Sequence, residues 1–230
     1  MDIVYILRNG IKGDELRYSL RSLENIPHDE VWFFGGEPEG LVPDRQVTLE
    51  QAGISVWQKV SHTLGIVCRT AEVSDDFILF NDDFFVMKPV EELEAYYNGT
   101  LAKRVRDLKD KTDGLGSLYS RNLEQTRELL MAEHKKTYNY AVHVPMIVNK
   151  GKALEVLIKY RRCPMFRSLY GNYWNIGGKN IDDVKIVDVK EEPDTDAVFL
   201  STSDKSFEHG KVGEYIRSVF PEPCVYEESK

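Results

Sequence analysis

Three cysteines, Cys68, Cys163 and Cys224, are all that 230 residues contain, and no two form a CxxC pair. That spacing argues against a disulfide framework or a zinc knuckle, and reduced thiols are expected. No apolar run approaches the ~20 residues of a membrane span. No signal-peptide pattern precedes the first apolar run, so a cytoplasmic protein is expected. GxGxxG and GxxxxGK[ST] are both missing, and Gly177-Gly178-Lys179 lacks the flanking spacing of a P-loop. No internal repeat or low-complexity segment occurs. Positive charge is in deficit, with a net charge of -8. A sequence-blind binder of nucleic acid or anionic membrane is disfavoured by that balance. Nucleic acid stays open only as an acceptor substrate held by a local basic patch.

What is present suits a packed core. Apolar residues make up 42% and aromatics 11%, too many for a disordered chain. The length fits one α/β domain over residues 1–230, with a mainly parallel central sheet flanked by helices. Ile3-Val4-Tyr5-Ile6-Leu7 reads as a buried strand that ends in the turn Arg8-Asn9-Gly10. Leu16, Leu20 and Leu23 recur at helical spacing, which predicts a helix over 14–25. Val31-Trp32-Phe33-Phe34 is a second strand, released by Gly35-Gly36. Such a β–α–β opening predicts parallel pairing with a right-handed crossover. Val56, Val60, Leu64 and Val67 mark a second helix, with Ser55 at its N-cap.

Further on, residues 91–98 read as a short helix after Pro89. The basic run 103–111 carries Asp107 and Asp110 and reads as a solvated helix face or as a patch for a polyanionic acceptor. Gly114 and Gly116 mark a loop, and 122–136 reads as a helix. Residues 138–148 are extended, and 150–160 are helical with Ala153, Leu154, Leu157 and Ile158 facing inward. Residues 163–178 show little periodicity. Val184, Ile186 and Val189 suggest a strand. Val198-Phe199-Leu200 is a last strand, and 212–219 a last helix, stopped by Pro221 and Pro223.

The stretch that organises the rest is Phe77-Ile78-Leu79-Phe80 followed by Asn81-Asp82-Asp83. Two adjacent carboxylates between apolar flanks repel each other and lose hydration. A divalent cation would relieve both costs, since Mg²⁺ and Mn²⁺ favour carboxylate oxygens and leave positions open for phosphate. Ligands gather at the carboxyl ends of strands in open α/β sheets, where these acids fall. The same residues also suit a plain solvated turn. Polar groups recur where other extended segments end: Arg8-Asn9-Gly10, His143 with Arg167, and Ser203-Asp204.

These segments resemble the Stealth proteins, a family of capsule polysaccharide phosphotransferases. Asp2-Ile3-Val4-Tyr5, Asn9-Gly10 and the run from Glu15 to Glu24 are similar to its first block. Phe80-Asn81-Asp82-Asp83-Phe84-Phe85 with Pro89-Val90 is similar to its second. His143-Val144-Pro145 and Phe166-Arg167-Ser168 are similar to the third, and Asp204 through Phe220-Pro221 to Glu227 to the last. In compact length the chain is similar to glycosyltransferase-like proteins of bacteriophages.

The resemblance implies a Rossmann-like, GT-A-like nucleotide-sugar transferase with a metal-bound diphosphate. Residues 1–100 would form the nucleotide and metal half, and 101–230 the acceptor side. Asp82, Asp83 and Asp204 are the expected ligands of Mg²⁺ or Mn²⁺. Arg8, Asn9, Gly10 and Asn81 are expected at the nucleotide or its phosphates. Arg167 would clamp phosphate, because guanidinium matches its oxygens two at a time. His143 would take the acceptor hydroxyl's proton. The donor is expected to be a UDP-sugar, and the acceptor a polysaccharide or another hydroxyl-bearing polymer. Attack at phosphorus or at the anomeric carbon, a non-catalytic nucleotide-sugar-binding module, and a metal-dependent phosphohydrolase all remain open at this point.

Overall fold

The structure is a computed structural model, and it describes residues 1–11, 14–111, 117–161 and 165–228. In chain order the elements are β1 (Ile3–Leu7), α1 (Asp14–Arg21), β2 (Val31–Gly35), β3 (Arg45–Thr48), α2 (Val56–Val67), β4 (Asp76–Phe80), β5 (Phe84–Val86) and β6 (Tyr96–Tyr97). Then follow α3 (Leu101–Lys111), α4 (Leu118–Ala132), β7 (Met146–Asn149), α5 (Lys150–Lys159) and α6 (Phe166–Tyr173). The last are β8 (Lys179–Asn180), β9 (Lys185–Ile186), β10 (Phe199–Thr202), α7 (Asp204–His209) and α8 (Lys211–Val219).

Five strands make the central sheet, in the order β3-β2-β1-β4-β7. β1 pairs in parallel with β2 and β4, and β2 with β3, while β7 runs antiparallel to β4. The mixed α/β class with a mainly parallel sheet is therefore the observed one. Successive side chains on a strand point to opposite faces. Val4, Trp32, Phe34, Phe77 and Leu79 thus enter one core beneath α2 and α5. Ile3, Tyr5, Leu7, Val31, Phe33, Ile78 and Phe80 enter another, against Leu16 and Leu20 of α1. Both faces are covered, which is why these strands read as unbroken apolar runs.

Caps set where helices begin. Ser55 accepts from the Gln58 amide and Gln58 returns the bond, a capping box for α2. Asn149 caps α5 and Ser203 caps α7. A second sheet, β5-β10-β9, packs its Phe85, Ile186 and Leu200 against Phe207 of α7 and Val212 and Ile216 of α8. Only Asn81, Asp82 and Asp83 separate β4 in the first sheet from β5 in the second.

Several sequence expectations give way here. Residues 91–98 are not helical: they turn and then form β6, paired with β8. β3 escapes the sequence reading because it is a mostly polar, exposed edge strand, with Val47 alone packed against the core. Within 163–178 lies α6, whose Phe166, Ser168, Leu169, Tyr170, Gly171 and Asn172 are all buried, so no stripe marks it. Ile158 is 59% exposed, and Val156 takes the inward place on α5. α4 starts and stops four residues earlier than the expected 122–136. Cys163, Gly114 and Gly116 lie outside the described residues.

Candidate functional site

Strand order reverses between β1 and β4. The chain leaves β1 toward β2 and β3, then returns to place β4 on β1's other side. Crevices at such a reversal, outside the carboxyl ends of the strands, are where open α/β sheets take ligands. A cavity of about 350 Å³ lies there. It is lined by Arg8, Asn9, Gly10 and Ile11 after β1, by Asp14, Glu15 and Leu16 of α1, by Asp82 after β4, and by Asp204, Phe207 and Glu208 of α7.

The backbone makes room for it at two glycines. A Cβ on Gly35 would stand 2.2 Å from the Leu7 carbonyl oxygen, and one on Gly36 2.4 Å from that of Arg8. The end of β2 can therefore press against the end of β1 and hold the turn Arg8-Asn9-Gly10 in place. Gly36 N–H donates to the Leu7 carbonyl (3.1 Å), and Gln51 Nε2 to the same oxygen (2.9 Å).

Among the described residues the lining holds five carboxylates, Asp14, Glu15, Asp82, Asp204 and Glu208, and one guanidinium, Arg8. Arg8 Nη2 lies 3.5 Å from Asp204 Oδ2, with both side chains well exposed. The Asp82 carboxyl is pushed up from 3.8 to about 6, first by burial and then by the charge of Asp83. Its own backbone amide and Arg8 oppose the shift. Glu15 is pushed up from 4.5 to about 7, again chiefly by burial. Thr202 Oγ1 donates to Glu15 Oε1 (2.6 Å) and works against that rise, while Asp83, Asp82 and Asp204 add to it.

Asp83 stands apart from its neighbour. It does not line the cavity; its Oδ2 accepts from Lys185 Nζ (2.7 Å) and Ser201 Oγ (3.3 Å). Its Oδ1 is buried without a hydrogen-bond partner among the described residues. Asn81 also lies outside the lining.

Arg167 and His143 sit beyond Phe84, the residue after Asp83. The Arg167 guanidinium lies 5.2 Å over the Phe84 ring and donates to the carbonyls of Val144 (2.8 Å) and Leu79 (3.3 Å). Its Nη2 is 3.5 Å from Asn81 Oδ1. Burial pulls the Arg167 pKa down to about 10, against the pull of Asp83. Each of its two terminal nitrogens gives one bond to a backbone carbonyl, so in this conformation Arg167 braces the end of β4. The His143 ring meets Phe84 edge to face, with 6.3 Å between centroids. Its Nδ1 is 2.7 Å from Asp183 Oδ1.

The structure thus brings together Arg8, Asn9, Gly10, Asp82 and Asp204, and leaves Asn81, Asp83, His143 and Arg167 outside that lining. Glu15, Lys185 and Asp183 were missed as contributors. Glu15 carried one signal, as an acid in the first turn of the helix that follows β1. Lys185 and Asp183 carried none, because their partners lie 102 and 40 residues away.

A hard divalent cation fits this donor set by charge and by oxygen chemistry, and Asp83 Oδ1, buried outside the lining, is left without a hydrogen-bond partner among the described residues. A ready cage is not formed: among the described residues no three His, Cys, Asp or Glu side chains are grouped closely enough to hold a metal ion. Among the described residues, too, no helix is long and apolar enough to cross a membrane.

No protein-family model matches the chain, and no curated protein matches it. Among solved structures it is similar to the galactosyltransferase LgtC in complex with donor and acceptor sugar analogs. That match has 13% identity and a TM-score of 0.38, and covers 74% of this chain and 68% of the other. An active-site mutant of LgtC matches at a TM-score of 0.37, with the same identity and coverage. Overlap at that level does not carry chemistry from one protein to the other.

Proposed function

We propose that the chain is a transferase that takes a nucleotide-diphosphate sugar, most simply a UDP-sugar, and passes its sugar or sugar-1-phosphate to an acceptor hydroxyl. One observation carries this reading: a cavity lined by acids at the carboxyl ends of β1 and β4, where the strand order reverses. Five carboxylates around one arginine repel a bare diphosphate, so the reading needs Mg²⁺ or Mn²⁺. Asp82 and Asp204, with Glu15 near by, are the residues that would hold it, and Asp83 would join them by turning its buried Oδ1 toward the cavity. When bound, the cation neutralises phosphate charge as a bond to the nucleotide breaks.

The chain's own residues do the rest. Arg8 offers the cavity's guanidinium to a phosphate, exchanging its exposed contact with Asp204 for one with the donor. Asn9 and Gly10 present backbone and amide groups at the same edge. Residues 1–100 supply most of the donor side, and α7 closes it with Asp204. His143 takes the proton of the acceptor hydroxyl, on the side that residues 101–230 supply. Arg167 keeps the end of β4 and the segment after His143 in register through its bonds to Leu79 and Val144.

A thermal-shift panel of nucleotide sugars, each with and without Mn²⁺, tests the reading. A ligand of the native state raises the melting point with the logarithm of its occupancy. A UDP-sugar that stabilises only with Mn²⁺ is the expected result, and no stabilisation by any member overturns it. Chromatography of the released nucleotide then separates the two chemistries. UMP marks attack at phosphorus, and UDP attack at the anomeric carbon. Binding without release marks a non-catalytic nucleotide-sugar-binding module, and release without acceptor a hydrolase.

A further inference from the structure

We propose that Asp183, held in turn by Arg104, is the positioning residue that sets His143 for proton transfer. The purpose of this pair rests on the transferase reading; the pairing itself does not. Asp183 Oδ1 lies 2.7 Å from His143 Nδ1, and Arg104 Nη2 lies 3.6 Å from the other carboxylate oxygen. Burial alone would raise the Asp183 pKa, but the bond to His143 and the charge of Arg104 hold it below the ordinary carboxylate value. A carboxylate at Nδ1 can only accept, so in the neutral ring Nδ1 carries the hydrogen and Nε2 keeps its lone pair.

That lone pair is free. Nε2 has no hydrogen-bond partner among the described residues, and it is not among the buried atoms left without one. The ring itself is fixed edge-on to Phe84. Asp183 is two residues from Lys185, which grips Asp83. One short segment, 183–185, therefore braces both the base and the second acid of the strand end. In the reaction the acceptor oxygen bonds to phosphorus or to the anomeric carbon as its O–H bond breaks. The proton goes to His143 Nε2, and the electron pair of the breaking donor bond leaves on a phosphate oxygen of the nucleotide. Asp183 stabilises the imidazolium so formed.

The test has one arm that needs no substrate. Two-bond proton–nitrogen correlation on the ¹⁵N-histidine-labelled full chain at about pH 8, where free imidazole is neutral, reports the tautomer of each ring. The His143 signal is assigned as the one lost in His143→Gln. Wild type should show hydrogen on Nδ1, and Asp183→Asn should move population toward hydrogen on Nε2. Hydrogen on Nε2 in the wild type overturns the proposal, whatever the protein transfers. The second arm measures turnover with the donor found above. Asp183→Asn should lower kcat roughly tenfold or more with donor KM unchanged, and Asp183→Glu should recover part of the loss. A kcat unchanged in Asp183→Asn, at an unchanged melting point, overturns the positioning role. A wild type that transfers no sugar refutes the transferase reading alone and leaves the tautomer to decide on Asp183.

Discussion

Asp82 is kept at a cost to the fold. Its carboxyl is pushed up to about 6 by burial and by Asp83, so the folded state disfavours the charged form. Stability from such a raised group is present below its ordinary value of 3.8 and is lost as pH rises through about 6. Glu15, pushed up to about 7, extends the same loss toward neutrality. Asp82→Asn removes one of these charges while keeping the shape. Above about pH 6 the variant should be more stable than wild type by on the order of 1–2 kcal/mol, and should lose Mn²⁺-dependent donor binding. Thermal melts at pH 5 and about pH 7.5, with and without Mn²⁺, check both halves. A variant no more stable at the higher pH sinks the repulsion argument. Asp83 is the wrong position for that test. Truncating it strands Lys185 and Ser201, which the pattern Asn81-Asp82-Asp83 could not reveal, because adjacency in sequence says nothing about which acid has a cationic partner. The acids' place at a strand end was legible in the apolar run before them.

At the level of elements, the turn after β1 depends on what β2 lacks. Gly36 keeps an ordinary backbone conformation, yet a Cβ there would fall 2.4 Å from the Arg8 carbonyl oxygen. Gly36→Ala must shift the backbone at Arg8 and Asn9, and so displace the turn that lines the cavity. Donor binding should fall by about tenfold or more, while stability falls only modestly, by about 1–3 kcal/mol of strain. Calorimetric titration with the donor measures the first, and a denaturant midpoint the second. Undiminished affinity would show that the turn does not contact the donor. Elements with apolar runs or stripes, β1, α1, β2, α2 and β4, were legible because burial wrote their periods into the sequence. α6 was not, since it is buried on nearly every side, and β3 was not, since Val47 is its one apolar residue and is only half-buried. The dyad of His143 and Asp183 joins an irregular segment to the edge of the second sheet, and no local period can announce such a contact.

Over the whole molecule, the C-terminal segment is tied to the helix that carries Glu15. Glu227 accepts from Arg17 Nη1 (2.6 Å), Arg21 Nε (2.6 Å) and Arg21 Nη2 (2.9 Å), and Arg21 Nη1 also donates to the carbonyls of Phe220 and Pro221. Burial would raise the Glu227 pKa, but the two arginines and the Cys224 amide bring it from 4.5 down to about 2. The stability from a depressed carboxylate is present above its ordinary 4.5 and is lost as pH falls toward 2. Glu227→Gln should cost about 3 kcal/mol at neutral pH, because two guanidinium groups lose their partner, and should flatten the acid limb of the stability profile. A melting point unchanged at pH 7 would deny the tie its role.

Asn81, Asp82 and Asp83 cross between two sheets that share a core: Phe84 and Val86 of β5 and Phe199 of β10 pack with Ile3, Tyr5, Phe33 and Phe80 of the first sheet. They work like a stitch through two layers of one cloth, held at both ends with three residues of thread between. Loosening of either sheet should therefore reach this span while the strands are still paired. Sub-denaturing urea should shift the backbone signals of these three residues before it unravels the sheets.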